Sequence, residues 1–202
     1  ALAVSDMDIC QKLTPQFLSS RLTLLNNAQL IVADANLPAE SLRFLAESCT
    51  PPLFVDPVST VKAEKLRPIL GKIHTLKPNR IEAELLSGVK ITDDASLRRA
   101  ADVLLSTGLH RVFISLGSDG VFAADRSGQQ VQLPPLPGAM VNTTGCGDAF
   151  MAAITWAYLQ GTDLTDTAKA GLAASVIAME SAETINPAMS EDALRLRAAF
   201  SK

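Results

Sequence analysis

From residue 13 onward, stretches with apolar residues at helical spacing alternate with short, wholly apolar runs. Residues 13–27 read as a helix and 29–34 as a strand; 39–48 and 52–56 repeat the pair, and 61–70 and 73–77 repeat it again. A chain that alternates in this way builds βαβ units, whose crossovers set consecutive strands side by side in a parallel sheet covered by helices. Two further helices are predicted at 80–87 and 95–107, the second closed by Gly108. The texture then changes. Residues 111–116, 120–124 and 130–133 are apolar runs parted by Gly, Ser and Asp, the pattern of a hairpin or meander at a sheet edge. The remainder reads as helical: from the glycine loop at 145–147 to Gly161, then 164–181 and 191–200. The predicted fold class is therefore α/β, a mostly parallel sheet flanked by helices on both faces. Leu2-Ala3-Val4 reads as the tail of a strand already under way.

Composition narrows this picture. With 202 residues and 48% hydrophobic composition, the chain can bury one sizeable core, so a single α/β domain over 1–202 is expected. The net charge is −3 and no run of Lys or Arg occurs, which argues against nucleic acid or an anionic membrane as partner and for a small soluble ligand. No apolar stretch reaches the roughly 18 residues of a membrane span, and the first residues lack the basic flank of a signal peptide. The expected location is cytoplasmic. Three cysteines without a C-x-x-C, and two histidines, give no zinc site and no disulfide framework.

The most informative segment is Asn142-Thr143-Thr144-Gly145-Cys146-Gly147-Asp148, which runs directly into an apolar helix. Small glycines let a ligand approach the backbone, and a helix start offers unpaired N–H groups and the positive end of its dipole to an anion. Asp148 falls in the first turn, where the dipole favours a carboxylate. A base beside an anion cradle suits phosphoryl transfer to an alcohol. An ordinary capping Asp after a Gly-rich loop is the competing explanation. Two other phosphate loops are excluded: the third glycine of a dinucleotide fingerprint would fall at Phe150, and no G-x-x-x-x-G-K-[ST] occurs. Polar residues follow each early strand at its carboxyl end: Asp34-Ala35-Asn36, Asp56-Pro57 and Lys77-Pro78-Asn79. Ligands of open parallel sheets lie beyond such ends, although each residue alone could simply cap the next helix.

The loop at 142–148 resembles the D-T-x-G-A-G-D signature of the ribokinase-like (PfkB) carbohydrate and nucleoside kinases. Lys77-Pro78-Asn79-Arg80-Ile81-Glu82-Ala83-Glu84 resembles that family's K-P-N-x-x-E-A-E segment, and Ser115-Leu116-Gly117-Ser118-Asp119-Gly120-Val121 its T-L-G-x-x-G-V strand and loop. Within the family, residues 54–59, residues 73–80 and Asn at 142 are most similar to members that phosphorylate the 5′-hydroxyl of pseudouridine. The resemblance implies a kinase that moves a phosphoryl group from ATP to a hydroxyl of a nucleoside or sugar. It casts Asp148 as general base and the amides of Gly145, Cys146 and Gly147 as donors to the transferring group. Lys77, Asn79, Ser115, Gly117, Gly120 and Asn186 match the nucleotide side. Asn79 and Glu82 match the pair that holds Mg²⁺, partly through water, while their spacing fits a capping box equally well. Asn142 and Thr144 match positions that help hold K⁺, and the uncharged Asn142 argues against strong K⁺ dependence. Cys146 replaces the family's usual Ala: as a thiol at a helix start it could have a lowered pKa and react readily, or serve as a small apolar filler. Trp156 and Tyr158 read as core packing. Family members begin with a strand, a G-G-x-x-x-N region and a β-lid that have no counterpart before Ala1. The expectation is that these 202 residues carry the nucleotide half of the cleft and the base, are inactive alone, and form a homodimer in the full-length protein. The alternatives are another sugar or nucleoside kinase of the family, ribokinase- or fructokinase-like, a non-catalytic nucleotide sensor, against which the retained Asp148 argues, and a structural role for a degenerate fragment.

Overall fold

A computed structural model describes residues 7–200 of the chain. The strand tail expected at Leu2-Ala3-Val4 lies outside the described residues. The chain divides into two compact units, residues 1–112 and 113–202.

In the first unit, β1 (Ile31–Asp34), β2 (Leu53–Asp56), β3 (Thr75–Leu76) and the start of β4 (Arg111–Ser115) follow one another in order, each pair parallel. Leu53, Phe54 and Val55 of β2 are all buried although successive side chains point to opposite faces, so both faces of this strand are covered. Helix α3 (Ala39–Ser48) joins β1 to β2, and α5 (Arg80–Ser87) and α6 (Asp94–Ser106) separate β3 from β4. The β3 ladder is short, yet the backbone bonds continue on either side, from His74 N–H to Leu53 and from Lys77 N–H to Val55. The expected mostly parallel sheet with helical crossovers is what the structure contains.

Two predicted helices differ. The segment 13–27 is split into α1 (Pro15–Ser19) and α2 (Leu22–Asn26). Ser20 is the reason: its hydroxyl donates to the Phe17 carbonyl at 2.7 Å, a local bond that competes with the helix ladder. The segment 61–70 begins as α4 (Thr60–Ala63) and continues as a 3-10 helix, Glu64–Lys72. Pro68 lies inside it, and a residue without an N–H cannot sustain the α-helical ladder.

In the second unit, β4 is followed by a tight turn and then by the antiparallel hairpin of β5 (Val121–Asp125) and β6 (Gln130–Leu133). The carboxylate of Asp125 shapes the hairpin turn by accepting from the Ser127 N–H at 2.9 Å and the Ser127 hydroxyl at 2.5 Å. Three helices complete the unit: α7 (Cys146–Leu159), α8 (Leu164–Met179) and α9 (Glu191–Ala198). Ala153 and Ala157 of α7 meet Ala170, Ala173 and Ala174 of α8, and these small side chains let the two helix backbones approach closely. Phe113 and Phe150 meet edge-on with centroids 6.2 Å apart. Arg197 grips both oxygens of Glu180, at 3.1 and 2.9 Å, and donates to the Pro137 carbonyl at 3.0 Å, which fastens α9 to α8 and to the segment before α7. Among the described residues no helix is long and apolar enough to cross a membrane.

Candidate active site

The glycine loop of the second unit leaves the start of α7 without a side-chain cap. Gly145 takes the cap position of α7 with φ 86°, and having no side chain it caps nothing. A Cβ there would fall 2.5 Å from the Thr184 carbonyl oxygen, so the segment after α8 presses directly on the loop. Asn142 holds the approach: its Oδ1 accepts from the Thr144 N–H at 3.0 Å and its Nδ2 donates to the Ala182 carbonyl at 3.2 Å. Cys146 N–H donates to the Thr143 carbonyl at 3.3 Å. Asp148 is exposed and lines a pocket of ≈ 560 Å³ together with Gly145, Thr184 and Asn186. The far wall is apolar, made by Ala152, Trp156, Met189 and Leu194. A carboxylate therefore stands at an open hollow beside the uncapped start of a 14-residue helix.

The other residues predicted for this unit are distributed as follows. Gly117 and Gly120 lie in the tight turn between β4 and β5, where the Gly120 carbonyl accepts from the Leu116 N–H at 2.9 Å, and Ser115 ends β4. Asn186 lines the pocket, with its Nδ2 on the Ile177 carbonyl at 2.5 Å and its Oδ1 accepting from Ala188 N–H at 2.9 Å. Thr184, Met189, Ser190, Glu191 and Leu194 also line the pocket and were not foreseen, because no motif marks them and only the fold brings them to Asp148. Trp156 is half-buried: Phe200 stacks on it at 6.0 Å, the Arg195 guanidinium lies 4.9 Å over its face, and it lines the pocket as well as packing on the alanine cluster.

Cys146 corrects the lowered-pKa alternative. Partial burial pushes its thiol up, and the pull of its own backbone N–H does not reverse this. Its Sγ rests 3.9 Å from the Asn142 carbonyl, as a small space-filling group would. Alkylation of Cys146 by iodoacetamide at neutral pH should accordingly be no faster than that of an unperturbed thiol; a rate well above it, abolished by Cys146→Ala, would restore the reactive reading.

In the first unit, Lys77 is only 6% exposed and its Nζ lies 2.9 Å from Asp56, so its charge is committed to an ion pair at the ends of β2 and β3. Asn79 and Glu82 form the complete capping box of α5: Asn79 Oδ1 accepts from Glu82 N–H at 2.9 Å, and Glu82 Oε2 accepts from Asn79 N–H at 2.8 Å. Among the described residues no cluster of three His, Cys, Asp or Glu could cage a metal. Two oxygen-bearing side chains suit a hard cation that retains most of its water, so the pair fits Mg²⁺ as a partial ligand set. Glu82 is 3% exposed. Burial raises its pKa and the Asp56 charge adds to this, while the Asn79 N–H and Lys77 oppose it. Because the folded value lies above the unfolded one, the protonated form stabilises the fold at low pH and that contribution is lost as pH rises through the raised value. Glu82→Gln, which cannot ionise, should therefore raise Tm near pH 7 and change it little near pH 4; equal shifts at both would contradict the assignment.

An uncapped glycine-rich helix start with an exposed carboxylate at a pocket is an arrangement that suits an anion such as phosphate. Residues 6–191 match the pfkB family of carbohydrate kinases. The chain is 35% identical over 190 residues to pseudouridine kinase of Escherichia coli (strain K12), covering 94% of this chain and 61% of that protein. It is 36% identical over 194 residues to the uncharacterized sugar kinase YeiI of the same organism, covering 95% and 53%. A carbohydrate kinase from Agrobacterium tumefaciens superposes with a TM-score of 0.82 at 27% identity, covering 98% of this chain and 64% of that one. This chain belongs to the pfkB family of carbohydrate kinases, and it spans 61% and 53% of the two curated relatives.

Proposed function

We propose that the chain carries the catalytic base and phosphate cradle of a kinase that transfers the γ-phosphoryl group of ATP to a hydroxyl of a nucleoside or sugar, with pseudouridine as the favoured acceptor. The observation that carries this reading is the position of Asp148, exposed at the pocket one residue after Gly147 at the head of α7. In the reaction Asp148 accepts the proton of the acceptor hydroxyl, the freed oxygen bonds to the γ-phosphorus, and the bond from that phosphorus to the ADP oxygen breaks. The amides of Gly145 and Gly147 meet the charge spread over the transferring oxygens, whereas that of Cys146, which the resemblance groups with them, is donated to the Thr143 carbonyl. Asn79 and Glu82 would hold Mg²⁺ in part, the rest of its shell being water, and the ion would supply neutralisation of phosphate charge. Lys77, Ser115, Gly117, Gly120 and Asn186 serve the nucleotide side. Asn142 Oδ1 is already an acceptor within the loop and is uncharged, so it and Thr144 form at most a weak K⁺ site.

The choice of pseudouridine rests on the 35% identity to a pseudouridine kinase and on the resemblance of residues 54–59 and 73–80. The test supplies the full-length protein with ATP, Mg²⁺ and, separately, pseudouridine, uridine, ribose and fructose. ADP release with a 5′-phosphorylated product is expected with pseudouridine above the others. Faster turnover of a free sugar would move the acceptor, and no ADP release with any of them would overturn the kinase reading.

A further inference from the structure

Ser175 lies on α8, far from the glycine loop in sequence, and is half-buried. A serine within a helix usually turns its hydroxyl onto the carbonyl four residues back. This one instead reaches across to α7, 29 residues earlier, and donates to the carbonyl of Cys146 at 3.0 Å. That carbonyl shares one rigid, planar peptide unit with the N–H of Gly147. The two groups point in opposite directions along the helix, so a bond that fixes the oxygen also fixes the direction of the amide hydrogen. Gly147 is exposed in the first turn of α7, where amides have no partner within the helix. A hydrogen bond accepted by the carbonyl also polarises the peptide and strengthens its N–H as a donor. On the other edge of the loop, the Thr184 carbonyl presses on Gly145.

We propose that Ser175 is a positioning residue of the phosphoryl-transfer site, aiming and polarising the Gly147 amide through the Cys146 peptide. The inference rests on the kinase reading above and assigns to α8 a part in catalysis that no motif in the sequence marks. Ser175 touches neither substrate nor phosphate. It acts on charge that develops in the transition state, so its loss should lower turnover rather than binding.

The test uses the full-length enzyme with Ser175→Ala and Ser175→Thr. For Ser175→Ala, kcat should fall about tenfold while KM for ATP and for the acceptor stays within about twofold, because an amide is misdirected rather than removed. Affinity for ADP with aluminium fluoride, which imitates the transferring group, should fall by the same factor, and affinity for ADP alone should not change. Ser175→Thr, which keeps the hydroxyl, should recover most of the lost turnover. Unchanged kcat in Ser175→Ala overturns the proposal, and so does a loss of ADP affinity in step with kcat. A Ser175→Ala protein that does not fold assigns the hydroxyl to stability and overturns it equally. An unsubstituted enzyme that transfers no phosphate sinks the kinase reading and this inference with it, whereas an active enzyme indifferent to Ser175→Ala sinks this inference alone.

Discussion

Asp148→Asn in the full-length protein is expected to lose about a thousandfold in kcat while binding ATP as before. The substitution keeps shape and size but leaves no group able to take up the hydroxyl proton, and general-base assistance contributes about 10²–10⁴-fold. The side chain is exposed and lines the pocket, so the exchange leaves no cavity and strands no buried partner. Tm should move by no more than about a degree or two, as for other surface substitutions. Initial rates of ADP release set beside the calorimetric affinity for ATP decide the matter. Turnover near that of the unsubstituted enzyme would remove Asp148 from the reaction, and with it the main support for the proposed function.

Gly145→Ala is expected to damage the site directly. At φ 86° any side chain is strained, and the added carbon would fall 2.5 Å from the Thr184 carbonyl oxygen, a backbone atom that cannot swing aside as a side-chain tip could. The loop or the segment at Thr184 must shift, and both line the pocket. A displacement of about 1 Å at a reacting centre can cost a hundredfold in rate, so turnover should fall at least that far, with a lowered Tm. Gly161→Ala is the control: its φ is 73° but no atom lies within 4 Å of the added carbon. That variant should show the backbone strain, about 1 kcal/mol, with turnover unchanged. Matching effects in the two variants would mean that the contact with Thr184 has no part in the site.

The periodic parts of the fold are legible in the sequence. Residues 39–48, 80–87 and 130–133 fall on α3, α5 and β6 at the expected bounds, because apolar spacing, the Asn79 cap and the turn formers agree there. Where local hydrogen bonding competes with periodicity, as at Ser20, or where an N–H is missing, as at Pro68, the pattern overstates the helix. The loop at 142–148 was legible for the same reason as the helices: its residues are contiguous, and their conformational needs show in their types. The pocket's other wall was not. Thr184, Met189 and Leu194 meet Asp148 only after α8 doubles back along α7, and nothing in a run of small and apolar residues distinguishes a pocket wall from a core. Cys146 is ambiguous in the sequence because the dipole lowers and burial raises a thiol pKa, and only the fold shows that the thiol is partly buried.

The indole of Trp156, the chain's single tryptophan, forms part of the hollow beside Asp148 and carries a cation on one face. Its emission colour depends on the polarity around it, and within these 202 residues no second indole blurs the signal. The protein thus carries its own optical gauge of occupancy: a titrated compound that seats against that wall changes the fluorescence without any attached dye.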